Sequence, residues 1–359
     1  MKYSLIALRN TRHALGSVRY DKIADAFLSG GVFLDEVLVL PYDGASELAA
    51  ALTRLSYECD GVFLTCDGVL LSYLKDAVSV FCEGRFSGDF ITETEKCLFA
   101  VLPASDAGAD LVCGEVIPLI DKRRRKRYDR MVIRTVAAPS ELLRTTVASA
   151  ENISGGKLSY NLSEKFGDGR LEIIYDSETP KMLADEVLRV AATQLNDFMY
   201  AMEDIPLARR LYDVLKLRRL RLATAESFTG GGVGRALVEI SGASAFFYEG
   251  LNTYDNQSKI DRLGVSPYTI KSHGAVSDEV AYEMAAGLIA QGNCDVAVAT
   301  TGIAGPKSDG SDKPVGLCFI AVGTKEKVRV YRYQLEGDRE KITETAINLA
   351  LFLTYKEIK

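Results

Sequence analysis

The chain has 359 residues, of which 47% are hydrophobic and 26% charged, and its formal net charge is −6. This composition is typical of a soluble globular protein with two or three domains, and an acidic chain has no general attraction for nucleic acid. Charges interrupt every apolar run well short of a membrane span, and the first apolar stretch is too short for a signal peptide. We therefore expect a cytoplasmic protein that does not contact a membrane.

The seven cysteines are scattered and include no C-x-x-C pair, which argues against a disulfide framework and against a zinc knuckle. The two histidines, His13 and His273, are too few for a His-rich metal site, although a site made only of carboxylates stays possible. We expect no metal and no cofactor.

Residues 1 to about 120 alternate between strand and helix patterns. The strands are predicted at 4–8, 36–40 and 61–65 and the helices at 20–27 and 45–57. This order predicts a doubly wound parallel sheet with helices on both faces, in which ligands bind beyond the carboxyl ends of the strands.

Two loops of this domain lie at such strand ends, residues 9–16 and 66–68. Neither carries a recognisable phosphate cradle, so packing or dimerisation without chemistry is the favoured interpretation. The basic run Lys122 to Arg127 follows. It could contact phosphates, but a solvated linker at a domain junction is the favoured interpretation.

Residues 130 to about 201 predict a small α+β module. Its elements are a strand at 131–136, a helix at 140–148, strands at 158–162 and 171–175, and a helix at 180–195. The order resembles a KH-type unit but lacks the G-x-x-G loop that clamps a nucleic-acid backbone, so we expect a spacer.

The final domain begins near residue 205 and is predicted to be α/β. Helices are expected at 208–215, 236–240, from about 256, 277–288 and 338–355, and strands at 220–223, 246–254, 295–300, 316–322 and 328–333.

A glycine-rich turn joins a strand to a helix at residues 224–234 and carries Ser227, Thr229, Gly230 and Gly231. Free N–H groups at a helix start, and glycines that let a ligand approach the main chain, suit an anion together with a serine nucleophile. The alternative is a tight turn whose hydroxyls only cap the helix. On this stretch alone the two interpretations have equal weight.

A second glycine turn follows the strand at 295–300 and carries Thr301, Gly302, Ala304 and Gly305. Two such turns in one domain could bracket a single phosphorylated ligand.

Tyr254 and Lys259 are spaced so that the end of a strand and the first turn of the next helix could present a phenol beside an amine. With histidine scarce, a desolvated lysine is the natural base for Ser227, and the tyrosine could relay a proton to a leaving amine. Each residue also has a simpler explanation, Tyr254 as an edge aromatic and Lys259 as a solvated helix residue.

These motifs resemble, in order and spacing, the C-terminal domain of the CinA family of competence/damage-inducible proteins, the nicotinamide-nucleotide amidases. The matching stretches are residues 224–231, 254–259, 263–265, 273–277, 301–306, 313–316 and 337–339. The resemblance covers residues 205–359 and implies hydrolysis of the carboxamide of nicotinamide mononucleotide to nicotinic acid mononucleotide and ammonia.

The resemblance also assigns roles to residues. Ser227 matches the nucleophile, Lys259 the general base and Tyr254 the partner hydroxyl. The two glycine turns would hold the phosphate or the oxyanion through backbone N–H groups, and Arg339 would bind the phosphate. A homodimer is expected from the resemblance alone.

This chain departs from the family at several places. Phe228 stands where the family usually has cysteine, and Thr343 stands where a second arginine is common. In layout the chain resembles full-length CinA, with a degenerate molybdopterin-binding-like domain (1–126), a KH-like linker module (127–204) and the amidase domain (205–359).

The N-terminal match is poor. Residues 66–71 lack the paired aspartates that would hold a metal beside a pyrophosphate, so we expect the family's ADP-ribose pyrophosphatase activity to be lost.

An alternative to the amidase is a regulatory protein that binds a nucleotide without turnover. A less favoured alternative is a nucleic-acid-associated competence factor that uses the basic run.

Overall fold

The structure is a computed structural model, and it describes residues 1–9, 20–42, 45–82, 90–307 and 312–359. His13 and most of the predicted loop at 9–16 lie outside these residues. The strands are β1 (Tyr3–Arg9), β2 (Glu36–Pro41), β3 (Gly61–Cys66), β4 (Ile91–Glu93), β5 (Leu98–Pro103), β6 (Tyr128–Val136), β7 (Ser159–Lys165), β8 (Asp168–Asp176), β9 (Met199–Ala201), β10 (Leu222–Glu226), β11 (Phe247–Asn252), β12 (Val296–Gly302), β13 (Leu317–Thr324) and β14 (Val328–Gln334). The helices are α1 (Asp21–Ser29), α2 (Ala45–Glu58), α3 (Leu71–Cys82), α4 (Asp106–Leu111), α5 (Ile117–Arg124), α6 (Ser140–Ser154), α7 (Lys181–Gln194), α8 (Leu207–Arg218), α9 (Gly232–Val238), α10 (Asn256–Leu263), α11 (Pro267–His273), α12 (Asp278–Ala290) and α13 (Arg339–Ile358).

Contacts divide the chain into two compact units, and the first consists of residues 1–130, 156–159 and 174–184. Its sheet has the order β2-β1-β3-β5-β4, with β4 antiparallel to β5 and the other pairs parallel. Alternate residues of β3 enter different hydrophobic clusters, Phe63 on one face and Leu64 on the other. Helices therefore cover both faces, as the alternating pattern predicts.

The basic run is not a solvated linker, and that prediction was wrong. Its first residues complete α5, and Arg124 donates hydrogen bonds to the carbonyls of Gly30 and Gly31. Lys126 forms an ion pair with Asp176 at 3.0 Å. These cations are used inside the first unit, where Arg124 satisfies backbone carbonyls and Lys126 joins the N–H of Glu178 and the hydroxyl of Thr179 around the Asp176 carboxylate.

The second unit consists of residues 131–155, 160–173 and 185–359. It holds most of a sheet of order β7-β8-β6-β9, in which the sequence did not predict β9, and a sheet of order β11-β10-β12-β13-β14. Strands β11, β10 and β12 are parallel, and β13 and β14 are antiparallel additions. The predicted mixed α/β class is confirmed.

The predicted KH-like module and the final domain share one hydrophobic core within this unit. Val136 and Tyr200 belong to the same buried cluster as Leu211 and Ile347. The domain boundaries at 126 and 204 stay predictions.

The parallel pairing of β10 with β12 sets up the site, because it aligns Glu226 with Thr300 at the carboxyl ends of two buried strands. After β10 the chain turns through Gly230 and Gly231, whose φ angles are +60° and +93°, and α9 then begins at Gly232, earlier than predicted. A side chain at Gly231 would also approach Asn252 within 3.0 Å. Glycine is thus favoured here by conformation, and a side chain at Gly231 would require a small shift of the Asn252 side chain.

Capping side chains fix the starts of two neighbouring helices. The Asp255 carboxylate accepts from the N–H of Gln257 at the start of α10, and Asp338 accepts from Lys341 at the start of α13. The Asp255 cap fixes the start of the helix that carries Lys259. Among the helices in the described part of the chain, none is both long and apolar enough to cross a bilayer.

Candidate active site

A cavity of about 350 Å³ lies at the carboxyl ends of β10 and β12 in the second unit. It is lined by Ser227, Phe228, Tyr254, Asn256, Lys259, Ile270, Gly274, Ala275, Val276, Thr301 and Gly302. The structure therefore brings together Ser227, Tyr254 and Lys259 with the start of the second glycine turn.

Ser227 is held through its backbone. Its N–H donates to the carbonyl of Thr300 at 3.0 Å, and its carbonyl accepts from the N–H of Gly230 at 3.1 Å. Its side chain is 9% exposed and borders the cavity. In the part of the chain that the structure describes, no group is hydrogen-bonded to its hydroxyl, which is therefore free to meet a ligand.

Lys259 is the buried amine of the site. The residue is 1% exposed, and its Nζ donates to the carbonyls of Thr253 at 2.8 Å and Tyr254 at 3.1 Å. Burial lowers the pKa of Lys259 below 10.5, and the nearby Asp255 carboxylate opposes this shift only in part. A lysine in this state can lose its proton and serve as a base.

Tyr254 lies at the rim of the cavity, and 64% of it is exposed. Its backbone carbonyl accepts a hydrogen bond from the Lys259 amine. The amine is thereby held against the main chain of Tyr254, in the segment between β11 and α10. Tyr254 lies beyond the end of β11, and among the described residues its phenol forms no hydrogen bond with the Lys259 amine, so the placement of the phenol beside the amine stays a prediction.

Glu226 is a polar residue of the site that the sequence reasoning did not single out. It is 1% exposed and its carboxylate accepts from the N–H groups of Gly231 at 3.0 Å, Val233 at 3.0 Å and Gly234 at 2.8 Å. The available signal was an acid placed directly before a glycine-rich helix start, where an anion is stabilised.

This carboxylate changes the expected role of the first glycine turn. The N–H of Gly231 is already taken by Glu226, and that of Gly230 donates to Ser227. Thr229, Gly230 and Gly231 do not line the cavity. The expectation that Gly230 and Gly231 hold a phosphate through their N–H groups is therefore wrong in this structure, because the protein supplies its own anion.

Two N–H groups of this turn remain unpaired. Within the described ranges, the backbone N–H groups of Phe228 and Thr229 donate to no acceptor, and both follow Ser227 directly. They are the unpaired main-chain donors of this turn that lie next to the serine in the chain.

The second turn is divided between the cavity and the packing behind it. The hydroxyl of Thr301 donates to the carbonyl of Ala275 at 2.8 Å, and Gly302 lies in the β12–β13 ladder. Ala304 is buried in the cluster that contains Phe228. Thr301 and Gly302 thus line the cavity, whereas Ala304 does not.

Arg339 is bound to the second turn. Its Nη1 donates to the carbonyl of Gly305 at 2.7 Å, and neither residue lines the cavity. Its guanidinium is held at the turn that follows β12, rather than against Ser227.

His273 does not supply a base in this cavity. The Nδ1 of His273 lies 2.8 Å from the Glu279 carboxylate, His273 does not line the cavity, and His13 is outside the described residues. No cluster of three or more His, Cys, Asp or Glu side chains that could bind a metal occurs among the described residues.

The part of the chain that contains this cavity is similar to known proteins. The family model of the CinA C-terminal domain matches residues 204–358. A CinA-like protein of Chloroherpeton thalassium is 40% identical over 172 residues, which cover 46% of this chain and 41% of that protein. A CinA-like protein of Fusobacterium nucleatum is 36% identical over 220 residues, which cover 61% of this chain and 53% of that protein.

The chain thus spans about half the length of the curated relatives it matches. Among solved structures, the competence/damage-inducible protein CihA of Agrobacterium tumefaciens is 37% identical, covers 42% of this chain and 96% of its own, and has a TM-score of 0.40. Residues 204–358, which the family model matches, contain Ser227, Tyr254 and Lys259. Residues 204–358 thus match the CinA C-terminal domain, and the relatives that share this region are CinA-like proteins.

Proposed function

We propose that the second unit is an amidase that hydrolyses the carboxamide of nicotinamide mononucleotide to nicotinic acid mononucleotide and ammonia. The observation that carries the proposal is the unpartnered hydroxyl of Ser227 in one cavity with Lys259, a buried amine of lowered pKa. The identity of the proposed substrate is taken from the resemblance of the motifs to nicotinamide-nucleotide amidases.

In the first half of the reaction, the Ser227 oxygen attacks the amide carbon while the neutral Lys259 amine takes the hydroxyl proton. The N–H groups of Phe228 and Thr229 stabilise the oxyanion of the tetrahedral intermediate. The phenol of Tyr254 donates a proton to the departing nitrogen, which leaves as ammonia, and is reprotonated from Lys259. The product of this half is an ester between the serine and the nicotinoyl group.

In the second half, a water molecule attacks the ester carbon and passes one proton to Lys259. The C–O bond to the serine breaks, Ser227 regains its proton from Lys259, and the carboxylic acid product is released and gives its proton to solvent water to become the carboxylate. Ser227, Lys259 and Tyr254 supply every proton transfer, so the reaction needs neither a metal nor a redox cofactor.

The lining of the cavity is compatible with an aromatic amide. Phe228, Ile270 and Val276 supply apolar surface, and Asn256 supplies an amide that can bond a polar substituent. We assign the phosphate of the substrate to the side of the second turn, where Arg339 and the Thr301 to Gly305 segment lie.

The alternative is a regulatory protein that binds the nucleotide without turnover, and Thr343 in place of a second arginine favours it. The remaining expectations are also proposals: a homodimer in the cytoplasm that binds neither nucleic acid nor membranes, with an N-terminal unit that has lost ADP-ribose pyrophosphatase activity. Metal-dependent turnover of ADP-ribose by the protein would contradict this loss.

The test measures ammonia release from nicotinamide mononucleotide by the wild type, Ser227→Ala and Ser56→Ala, a control substitution in the first unit. We expect release by the wild type and by Ser56→Ala and none above background by Ser227→Ala. If the wild type binds the nucleotide but releases no ammonia, amidase activity is excluded and the regulatory alternative is supported.

The phosphate assignment is tested with Arg339→Ala. We expect a KM for the nucleotide that is higher by about tenfold with kcat unchanged, and no change for the nucleoside that lacks the phosphate. An equal effect on both substrates would contradict the assignment, because a nucleoside has no phosphate for Arg339 to bind.

A further inference from the structure

We propose that Glu226 is a positioning residue for Ser227, whose buried carboxylate fixes the turn that sets the serine hydroxyl and the oxyanion donors. The inference rests on the proposed function, because it names a residue that this chemistry requires. Glu226 does not line the cavity and acts through the residues that follow it.

The carboxylate accepts from five donors, divided between its two oxygens. Oε1 accepts from the N–H of Gly234 at 2.8 Å and from the hydroxyl of Thr224 at 3.2 Å. Oε2 accepts from the hydroxyl of Thr229 at 2.8 Å and from the N–H groups of Gly231 and Val233, both at 3.0 Å. The site is therefore built for an acceptor with two oxygens and no hydrogen.

The same network links β10 to β12. The hydroxyls of Thr229 and Thr300 lie 2.7 Å apart. Because Thr229 gives its hydrogen to Glu226, Thr300 must be the donor in this contact. The Thr300 carbonyl also accepts from the N–H of Ser227, so the residue that anchors the serine backbone also joins the carboxylate network.

Ser227 lies between two members of the network, Glu226 and Thr229, while its own hydroxyl takes no part in it. The network therefore fixes the chain on both sides of the nucleophile and leaves the nucleophile free. The carboxylate also accepts hydrogen bonds from the N–H groups of Gly231, Val233 and Gly234. In the described part of the chain, the N–H groups of Phe228 and Thr229 are then the unpaired donors of the turn.

The expected effect of removing the carboxylate is a small displacement of the turn. A shift of about 1 Å between reacting groups lowers a rate by roughly 100-fold, while binding of the remainder of the substrate changes little. Loss of Glu226 should therefore lower kcat far more than it raises KM.

The experiment compares Glu226→Ala, Glu226→Asp and Glu226→Gln with a matched control, Glu357→Gln. Glu357 is also a buried carboxylate with several donors, Arg329, Tyr331 and Lys327. It lies near the start of β12, at the opposite end of that strand from the cavity. The control reports what the loss of a buried carboxylate network does by itself.

Two readouts are measured on the full chain. The first is the rate at which a fluorophosphonate labels Ser227, with the modified residue identified by mass spectrometry. The second is kcat and KM for ammonia release from nicotinamide mononucleotide. The labelling rate depends on the geometry of the nucleophile and not on the identity of the natural substrate.

For Glu226→Ala and Glu226→Asp we expect the labelling rate and kcat to fall by about 100-fold, with KM within about threefold of the wild-type value. Glu226→Gln should recover about tenfold of this loss, because the amide keeps one acceptor oxygen and Thr224 can reverse its hydroxyl to accept from the new N–H₂ group. Glu357→Gln should stay within about twofold of the wild type in both readouts.

The inference is overturned if folded Glu226→Ala is labelled at the wild-type rate, if Glu357→Gln loses as much as Glu226→Ala, or if Ser227 of the wild type is not labelled. If Glu226→Ala does not fold, Glu226→Asp and Glu226→Gln decide by the same labelling criterion. A wild type that is labelled at Ser227 but releases no ammonia contradicts the proposed function, and the labelling rates of the variants still decide the role of Glu226.

Discussion

Replacement of Phe228 by cysteine, the residue that the CinA family usually has at this position, should destabilise the second unit without abolishing the chemistry. Phe228 follows the nucleophile but is 6% exposed and packs in a cluster with Ala304, Cys318 and Ile342. Its ring also lies behind Gly302, where an added Cβ would approach Cε1 of Phe228 within 2.9 Å. Most of the side chain therefore supports the second turn rather than the ligand.

The magnitude follows from this packing. Truncation of a buried phenylalanine to alanine costs about 3–5 kcal/mol of unfolding free energy, including the cavity that is left. The cysteine sulfur recovers about 1 kcal/mol of burial, so we expect a loss of about 2–4 kcal/mol for Phe228→Cys. Phe228→Leu, the matched control, keeps an apolar side chain of similar length and should lose less unfolding free energy than Phe228→Cys.

The assay is urea unfolding followed by pulse labelling of Cys318, which is fully buried in the same cluster and becomes reactive only when that cluster opens. Mass spectrometry separates Cys318 from the introduced thiol. In the absence of urea, the rate of ammonia release should stay within about threefold of the wild type, because the backbone N–H of residue 228 is retained.

A loss below about 1 kcal/mol would refute the argument that Phe228 is a packing residue, because that argument requires a fully formed cavity. A rate that falls about 100-fold in a folded Phe228→Cys protein would instead show that the ring holds the substrate.

Four further predictions address the base, the second turn and the first unit. Because burial lowers the pKa of Lys259, the rate of Ser227 labelling should rise with pH through that lowered pKa and level off before pH 10.5. The labelling rate of Lys259→Met should not rise with pH in this range. The same shift means that the unfolded state binds more protons between the lowered pKa and 10.5, so wild-type unfolding free energy should rise with pH in that window and the rise should be absent from Lys259→Met. Gly302→Ala should cost about 1–3 kcal/mol in the Cys318 unfolding assay, since its Cβ would meet Cys318 Cβ at 2.6 Å, and an unchanged midpoint would contradict the packing described. Arg124→Ala should lower the unfolding free energy of the first unit by about 2–4 kcal/mol, measured by the exposure of the Cys97 thiol, and should leave ammonia release unchanged. A stability equal to the wild type would support the solvated-linker interpretation.

The sequence by itself predicted many of the elements and the turn that carries Ser227. Alternation of apolar residues, helix caps such as Asp338, and glycines at the turn with positive φ are short-range signals, because each depends on residues within a few positions of one another. Many strands and helices were therefore predictable, as were the turn that carries Ser227 and the position of Lys259 in the first turn of a helix, whereas α3, β5, β9 and α11 were not predicted.

Only the tertiary structure decided what those residues contact. The pairing of β10 with β12 brings Thr229 to Thr300, and α13 brings Arg339 to the carbonyl of Gly305. Burial decided that the pKa of Lys259 is lowered and that the carboxylate of Glu226, rather than a ligand, fills the first turn. These outcomes have no local signature in the sequence, because they depend on contacts between distant segments and on the exclusion of water when the segments pack.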